Sequence, residues 1–289
     1  MDYPNAKIYT DGSHYIAIPH EEHPERRRKR GTSTDDKKQA FETAYEKNKT
    51  KNKAERTENI VESIKEHFAN ENEAREYVER NAERKLRNLI AKRVRLWRKV
   101  NLQEWSYFAT FTFDSQKHTE ESFRKSLSNC LKHLSSRKSW KYVGVWERGG
   151  NTDRLHFHSL LYIPTGAEIG ETIDVNDYSF DNHKRQITYQ NTYFNERYGR
   201  TDFKPIHKYE LGDTVAYLIK YIEKSGERIV YSKGLPQYFV SDILENDVIC
   251  GYGIEDRKLL LGDCFDCFLD GEYIGEVCPE VIEKMKKSN

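Results

Sequence analysis

The sequence predicts an α+β protein in which an antiparallel sheet carries helices to one side. Three observations predict it. Trp105-Ser-Tyr-Phe-Ala-Thr-Phe-Thr-Phe-Asp114 alternates aromatic residues with threonine, which is strand chemistry. Leu155 to Ile163 is a second apolar, aromatic-rich run, closed by Pro164. Between them, Phe123, Leu127, Cys130, Leu131 and Leu134 recur at helical spacing, and Lys141 to Glu147 follows as a further strand. The order strand, helix, strand, strand suits helices packed on an antiparallel sheet.

The chain has 289 residues, enough for one large domain or two small ones. Charged residues make up 33% and apolar ones 36%, so part of the chain is expected to lie outside any core. The net charge is +1, which excludes a uniformly basic nucleic-acid coat; phosphate binding has to come from local clusters. No stretch approaches 18 apolar residues and the N-terminus has no signal-peptide core, so no membrane contact and a cytoplasmic location are expected. The five cysteines, Cys130, Cys250, Cys264, Cys267 and Cys278, are odd in number and clustered late. They read as reduced thiols, and Cys264-Phe-Asp-Cys267 lacks the second pair of a zinc knuckle.

Taken in order, Lys7 to Ile18 reads as a hairpin turning at Asp11-Gly12. Residues 21 to 55, including Arg26 to Arg30, are nearly all polar and read as a charged linker. Residues 56 to 100 form a basic helical segment. Ile60, Ile64 and Phe68 make one apolar stripe, and Leu86, Leu89, Ile90, Val94 and Trp97 make another. Few acids accompany Arg84, Lys85, Arg87, Lys92, Arg93, Arg95, Arg98 and Lys99, so contact with a nucleic-acid backbone, through Arg93 and Arg95 in particular, competes with a solvated face.

In the strand 105–114, Phe111 and Phe113 point one way, and Thr110 and Thr112 the other. The hydroxyls could meet phosphate or a metal environment. Thr119 reads as an N-cap, with Glu120 and Glu121 in the first turn. Residues 165 to 212 read as loop apart from a strand over Ile187 to Phe194, and Tyr231 to Asn289 as short strands with a last helix near Pro279.

Two stretches carry chemistry. His156 and His158 sit at i and i+2 of a strand, on one face and roughly 7 Å apart. The turn Arg148 to Asp153, pivoting at Gly149-Gly150, returns Glu147 beside His156. Two imidazoles and a carboxylate can hold a divalent cation; the donor types alone favour Zn²⁺ over Mg²⁺ or Mn²⁺. Farther on, Asp213 to Gly226 reads as a helix capped by Asp213 and ended by Gly226. Val215, Leu218, Ile219 and Ile222 form its apolar stripe. Tyr217, Lys220, Tyr221 and Lys224 form a phenolic, cationic face. A row of snorkelling interface residues is the bland reading of that face.

Together these stretches resemble the HUH endonucleases, and within them the rolling-circle replication initiators of small single-stranded-DNA phages and plasmids. Phe108-Ala-Thr-Phe-Thr-Phe113 looks like their first motif, His156-Phe-His158 the second, and Tyr217-Leu-Ile-Lys-Tyr221 the third, in that order over residues 105 to 235. The resemblance implies a ferredoxin- or RRM-like fold on a five-stranded antiparallel sheet, within an endonuclease domain at 101–235 followed by an accessory segment at 236–289. It implies Mg²⁺ or Mn²⁺ on His156, His158 and Glu147, in place of zinc. It implies Tyr217 as nucleophile, with Lys220 and Tyr221 assisting, and single-stranded DNA at a replication origin as substrate, contacted by Thr110, Thr112 and Lys224. No G-x-x-x-x-G-K-[ST] signature is present, so a host helicase is expected beside the host polymerase. Two alternatives stand: a relaxase or single-strand transposase with the same chemistry, and a non-catalytic RRM-like binder that stacks bases on Phe111 and Phe113.

Overall fold

The computed structural model describes residues 2–20, 36–149, 153–179, 183–225, 227–252 and 258–289. Arg26 to Arg30, Gly150 and Gly226, singled out above, lie outside the described residues. The chain divides into two compact units, Glu21–Val94 and Met1–His20 with Arg95–Asn289.

The first of these is helical. α1 (Asp36–Lys47), α2 (Lys53–Ile64) and the greater part of α3 (Glu71–Asn101) enclose Phe41, Ala44, Ile60, Val61, Ile64, Ala74 and Val78. Asn52 caps α2 by accepting the Glu55 amide at 2.9 Å. The linker expected over 21 to 55 is therefore corrected: residues 36 to 47 are helix. Phe41 and Ala44 lie on one face of α1, and α2 and α3 supply the apolar surface that α1 lacks. Phe68 falls outside the helix, after a 3₁₀ turn at Lys65–His67, and packs against Tyr77. The stripe expected along α3 is partly wrong too, since Leu86, Ile90 and Val94 are exposed. Its cations have partners that the linear pattern hid: Lys85 meets Glu42 at 2.5 Å, and Arg84 meets Glu42 at 3.7 Å.

The larger unit holds the sheets. β1 (Tyr3–Thr10) and β2 (Tyr15–Ile18) form the expected hairpin. They join β10 (Tyr238–Ile243), β11 (Val248–Tyr252), β12 (Lys258–Leu261), β13 (Asp266–Leu269), β14 (Glu272–Glu276) and β15 (Lys287–Ser288) in an eight-stranded sheet. Ala6, Ile8, Phe239, Phe265 and Cys267 lie in its core, with α7 (Pro279–Lys284) contributing Val281.

The second sheet is five-stranded and antiparallel, in the order β8 (Thr201–Pro205), β3 (Tyr107–Thr112), β5 (Leu155–Tyr162), β4 (Lys141–Arg148), β9 (Val230–Tyr231). A ribbon of β6 (Thr172–Ser179) and β7 (Lys184–Asn191) precedes α5 (Thr192–Tyr198). The strand expected through Phe194 therefore stops at Asn191, whose side chain caps α5 by accepting the Phe194 amide. Thr119 caps α4 (Glu120–Lys138) in a box with Ser122, as its position suggested. α6 (Leu211–Ser225) begins ahead of the expected cap at Asp213, after a 3₁₀ turn at Lys208–Glu210.

Helices cover both faces of this sheet, not one. Phe123, Leu127 and Leu131 of α4 and Phe194 of α5 pack on Phe111, Trp146 and Phe157. Val215, Leu218 and Ile222 of α6, with Leu96 and Val100, pack on Val143, Val145 and Leu160. The cause is legible in β4 and β5, which are buried almost end to end; a strand apolar on both sides needs two covers.

Candidate active site

Register sets the site. On the face covered by α6, Glu147, His156 and Thr112 lie in one cross-strand row, and Val145, His158, Thr110 and Asp202 in the next. Toward the covered end, Val143, Leu160, Phe108 and Lys204 continue the grid. The polar corner therefore lies at the β4–β5 turn.

Both imidazoles are held by hydroxyls from β3. Thr110 Oγ1 lies 3.0 Å from His158 Nδ1, and Thr112 Oγ1 lies 3.1 Å from His156 Nδ1. The Glu147 carboxylate meets Nε2 of His158 at 3.0 Å, with both side chains only 8% exposed. The His156 pKa is pushed down to about 4, first by burial and then by His158; Glu147 opposes this, and Arg154 and Arg200 add to it. His156 is thus neutral at neutral pH, the form that ligates metals. Among the described residues, no group of three or more His, Cys, Asp or Glu side chains is already gathered as a metal nest.

α6 lays its phenols on this corner. The Tyr221 ring stacks on His158 at 5.2 Å between centroids, and the Tyr217 ring stands edge-on to it at 5.7 Å. The Phe108 ring lies parallel to that of His158 at 6.0 Å, and meets Tyr217 at 5.6 Å. Burial raises the pKa of both phenols. A hydrogen bond between them divides them further, opposing the rise at Tyr217 and adding to it at Tyr221, the pattern of a Tyr221 hydroxyl donating to the Tyr217 oxygen.

Of the residues expected at the site, His156, His158, Glu147, Thr110, Thr112, Tyr217 and Tyr221 come together. Lys220 is exposed on α6, and the side chain of Lys224 lies outside the described ones. Arg93 belongs to the helical unit and Arg95 to the larger one. Arg95 is exposed, but its neighbours on α3 are engaged within the fold: Lys99 donates to the Leu235 carbonyl at 2.6 Å, and Arg98 lies 4.0 Å above the Tyr9 ring. Sequence reasoning missed Phe108 as a neighbour of His158 and missed β8 altogether. That strand sends Asp202 and the exposed Lys204 toward the site face, between core residues Thr201 and Phe203. The alternation was there to be read, but a five-residue strand with one large apolar side chain carries little signal.

Residues 106–226 match the family model of Replication-associated protein ORF2, somewhat under half of the 289 residues. This is a family of rolling-circle replication initiators of small single-stranded-DNA phages, so the segment that builds the site is similar to a replication initiator. No curated protein and no solved structure matches the chain.

Proposed function

Given a segment at residues 106–226 that matches replication-associated proteins of rolling-circle replication, we propose that this chain nicks and rejoins single-stranded DNA at a replication origin through a tyrosine. The observation that carries the reading is the packing of two phenols on His158, a ring hydrogen-bonded at one nitrogen to Thr110 and at the other to Glu147.

The residues present fit a divalent cation. Metal-bound imidazoles characteristically donate their second N–H to a fixed partner, and Thr112 and Thr110 are such partners for His156 and His158. Nε2 of each ring is then the ligating nitrogen. At His158 that atom already faces the Glu147 carboxylate, so a cation and a proton compete for one position. Mg²⁺ or Mn²⁺ held by His156, His158 and Glu147 would polarise the scissile phosphate as a Lewis acid.

The chain's own residues do the remainder. Tyr217 is the first nucleophile, because the hydrogen bond from Tyr221 favours its phenolate. Its oxygen bonds to phosphorus as the bond to the 3′ oxygen breaks, and the phenol's proton is lost as the 3′ oxygen gains one. The products are a 5′-phosphotyrosine link and a 3′-OH that a host polymerase can extend. Lys220 supplies positive charge on the same helix, and Tyr221 stands ready to attack in the second, joining step. Origin unwinding falls to a host helicase.

A relaxase or single-strand transposase would use the same groups, and the DNA cleaved distinguishes them. A non-catalytic RRM-like binder is disfavoured. Phe111 is fully buried between the sheet, Phe194 and Phe203, and Phe113 packs on Phe123, so neither ring offers a base-stacking surface. The test is incubation with labelled single-stranded oligonucleotides from the protein's own replicon. Cleavage with Mn²⁺ that chelator abolishes supports the proposal; DNA binding without cleavage at any metal concentration contradicts it.

A further inference from the structure

We propose that Arg200 anchors a DNA backbone phosphate beside the scissile one, and that Asp177 of the β6–β7 ribbon occupies this guanidinium while DNA is absent. The inference rests on the nicking reading and adds a residue to its substrate track.

The Thr112 amide donates to the Arg200 carbonyl at 2.9 Å, so Arg200 extends the row Glu147, His156, Thr112 by one strand. Neighbouring strands lie about 4.8 Å apart, which puts Arg200 ~10 Å from His156 along the row. Stacked single-stranded DNA carries one phosphate per ~3.4 Å and extended DNA fewer, so that span is at most about three nucleotides. A strand whose scissile phosphate sits at His156 and which crosses the sheet toward its edge therefore brings a neighbouring phosphate to Arg200. Lys204, exposed on the same edge strand, continues the positive rim.

The guanidinium is engaged in this structure. Its Nη2 contacts Oδ2 of Asp177, while Oδ1 of that carboxylate accepts the Tyr178 amide at 2.8 Å and so stays aimed. A carboxylate and a phosphate present the same paired oxygens to an arginine fork, so they are mutually exclusive partners for it. The ribbon thus lays an internal anion over the residue that the substrate needs.

Fluorescence anisotropy with a fluorescein-labelled, mixed-sequence single-stranded oligonucleotide tests this. Arg200→Ala should weaken binding roughly three- to tenfold whatever the sequence, and reduce the salt slope by ~0.7. Arg200→Lys, which keeps the charge without the fork, should fall between. Asp177→Asn should tighten binding roughly threefold at low salt, because the competitor is gone. Both Arg200→Ala and Asp177→Asn break the same ion pair, so a purely structural role would move them in one direction; opposite directions support the anchor. An Arg200→Ala protein with wild-type affinity and salt slope, or an Asp177→Asn protein that binds more weakly, overturns it. If the wild type nicks DNA and Arg200→Ala is indistinguishable from it, only this inference falls; if the wild type does not bind single-stranded DNA, the nicking reading falls with it.

Discussion

The hydroxyl of Thr110 lies 3.0 Å from Nδ1 of His158, and that single contact decides which ring nitrogen is left to face Glu147. Threonines placed opposite histidines in adjacent antiparallel strands make the arrangement rigid, since backbone ladders on both sides fix the two side chains. Thr112 repeats it at His156.

Removing those hydroxyls at constant shape should therefore weaken the cation site and spare the fold. Thr110→Val and Thr112→Val are each expected to cost about 10- to 100-fold in Mn²⁺ affinity, and the serine variants to recover most of it. Titration calorimetry reads this without any DNA. Valine variants that bind Mn²⁺ as tightly as the wild type would remove the hydroxyls from the account.

Stability should respond to acid through His156. Its imidazole is held at about 4 in the folded chain against an ordinary 6.5. The unfolded chain thus takes up this proton first, and stability is lost as pH falls from about 6.5 toward 4, then levels off. His156→Gln removes that component. Urea midpoints measured across the window should fall less steeply in the variant than in the wild type; parallel curves would show that burial does not hold the imidazole neutral.

Tyr221 should tune Tyr217 before it acts as a nucleophile itself. A donor hydrogen bond stabilises the Tyr217 phenolate, so its loss in Tyr221→Phe leaves burial less opposed and raises the Tyr217 pKa further. The cleavage-rate profile of Tyr221→Phe should move to higher pH. A shift to lower pH, or none, would mean that the hydrogen bond does not set the nucleophile's ionisation.

A glycine supports the site from beneath. A Cβ on Gly144 would come 2.5 Å from Phe157 Cζ and 2.6 Å from the His158 carbonyl oxygen. Gly144→Ala should force β4 and β5 apart and destabilise the fold by ~1–3 kcal/mol, with a larger relative loss of Mn²⁺ affinity because His158 moves. Thermal unfolding and calorimetry on one sample separate the two effects; an alanine variant of unchanged stability and affinity would contradict the packing.

The parts of this site that the sequence revealed are those whose chemistry is local. His156, His158 and the phenols of α6 stand at fixed offsets on a strand and a helix, and backbone geometry alone brings each pair to one face. What stayed hidden depends on distant partners. Glu42 of α1 answers Lys85 of α3 across more than one helix, so the apparent excess of cations was an artefact of reading one segment at a time. α1 itself looked too polar to fold because its core is completed by α2 and α3. The helices on both faces of the sheet were missed for a different reason: an apolar run in β5 signals burial without saying whether one face or two is covered. α5 was read as strand because Thr192, Tyr193 and Phe194 favour sheets, and the cap at Asn191 overrides them.

The most direct test of the central claim is to digest the Mn²⁺-dependent, SDS-resistant protein–DNA conjugate and map the nucleotide-bearing residue by mass spectrometry. The expected result is a 5′-phosphotyrosine at Tyr217, moving to Tyr221 in Tyr217→Phe and vanishing when both are phenylalanine. A conjugate that persists in the double variant, or one mapped to a residue away from α6, would contradict the account.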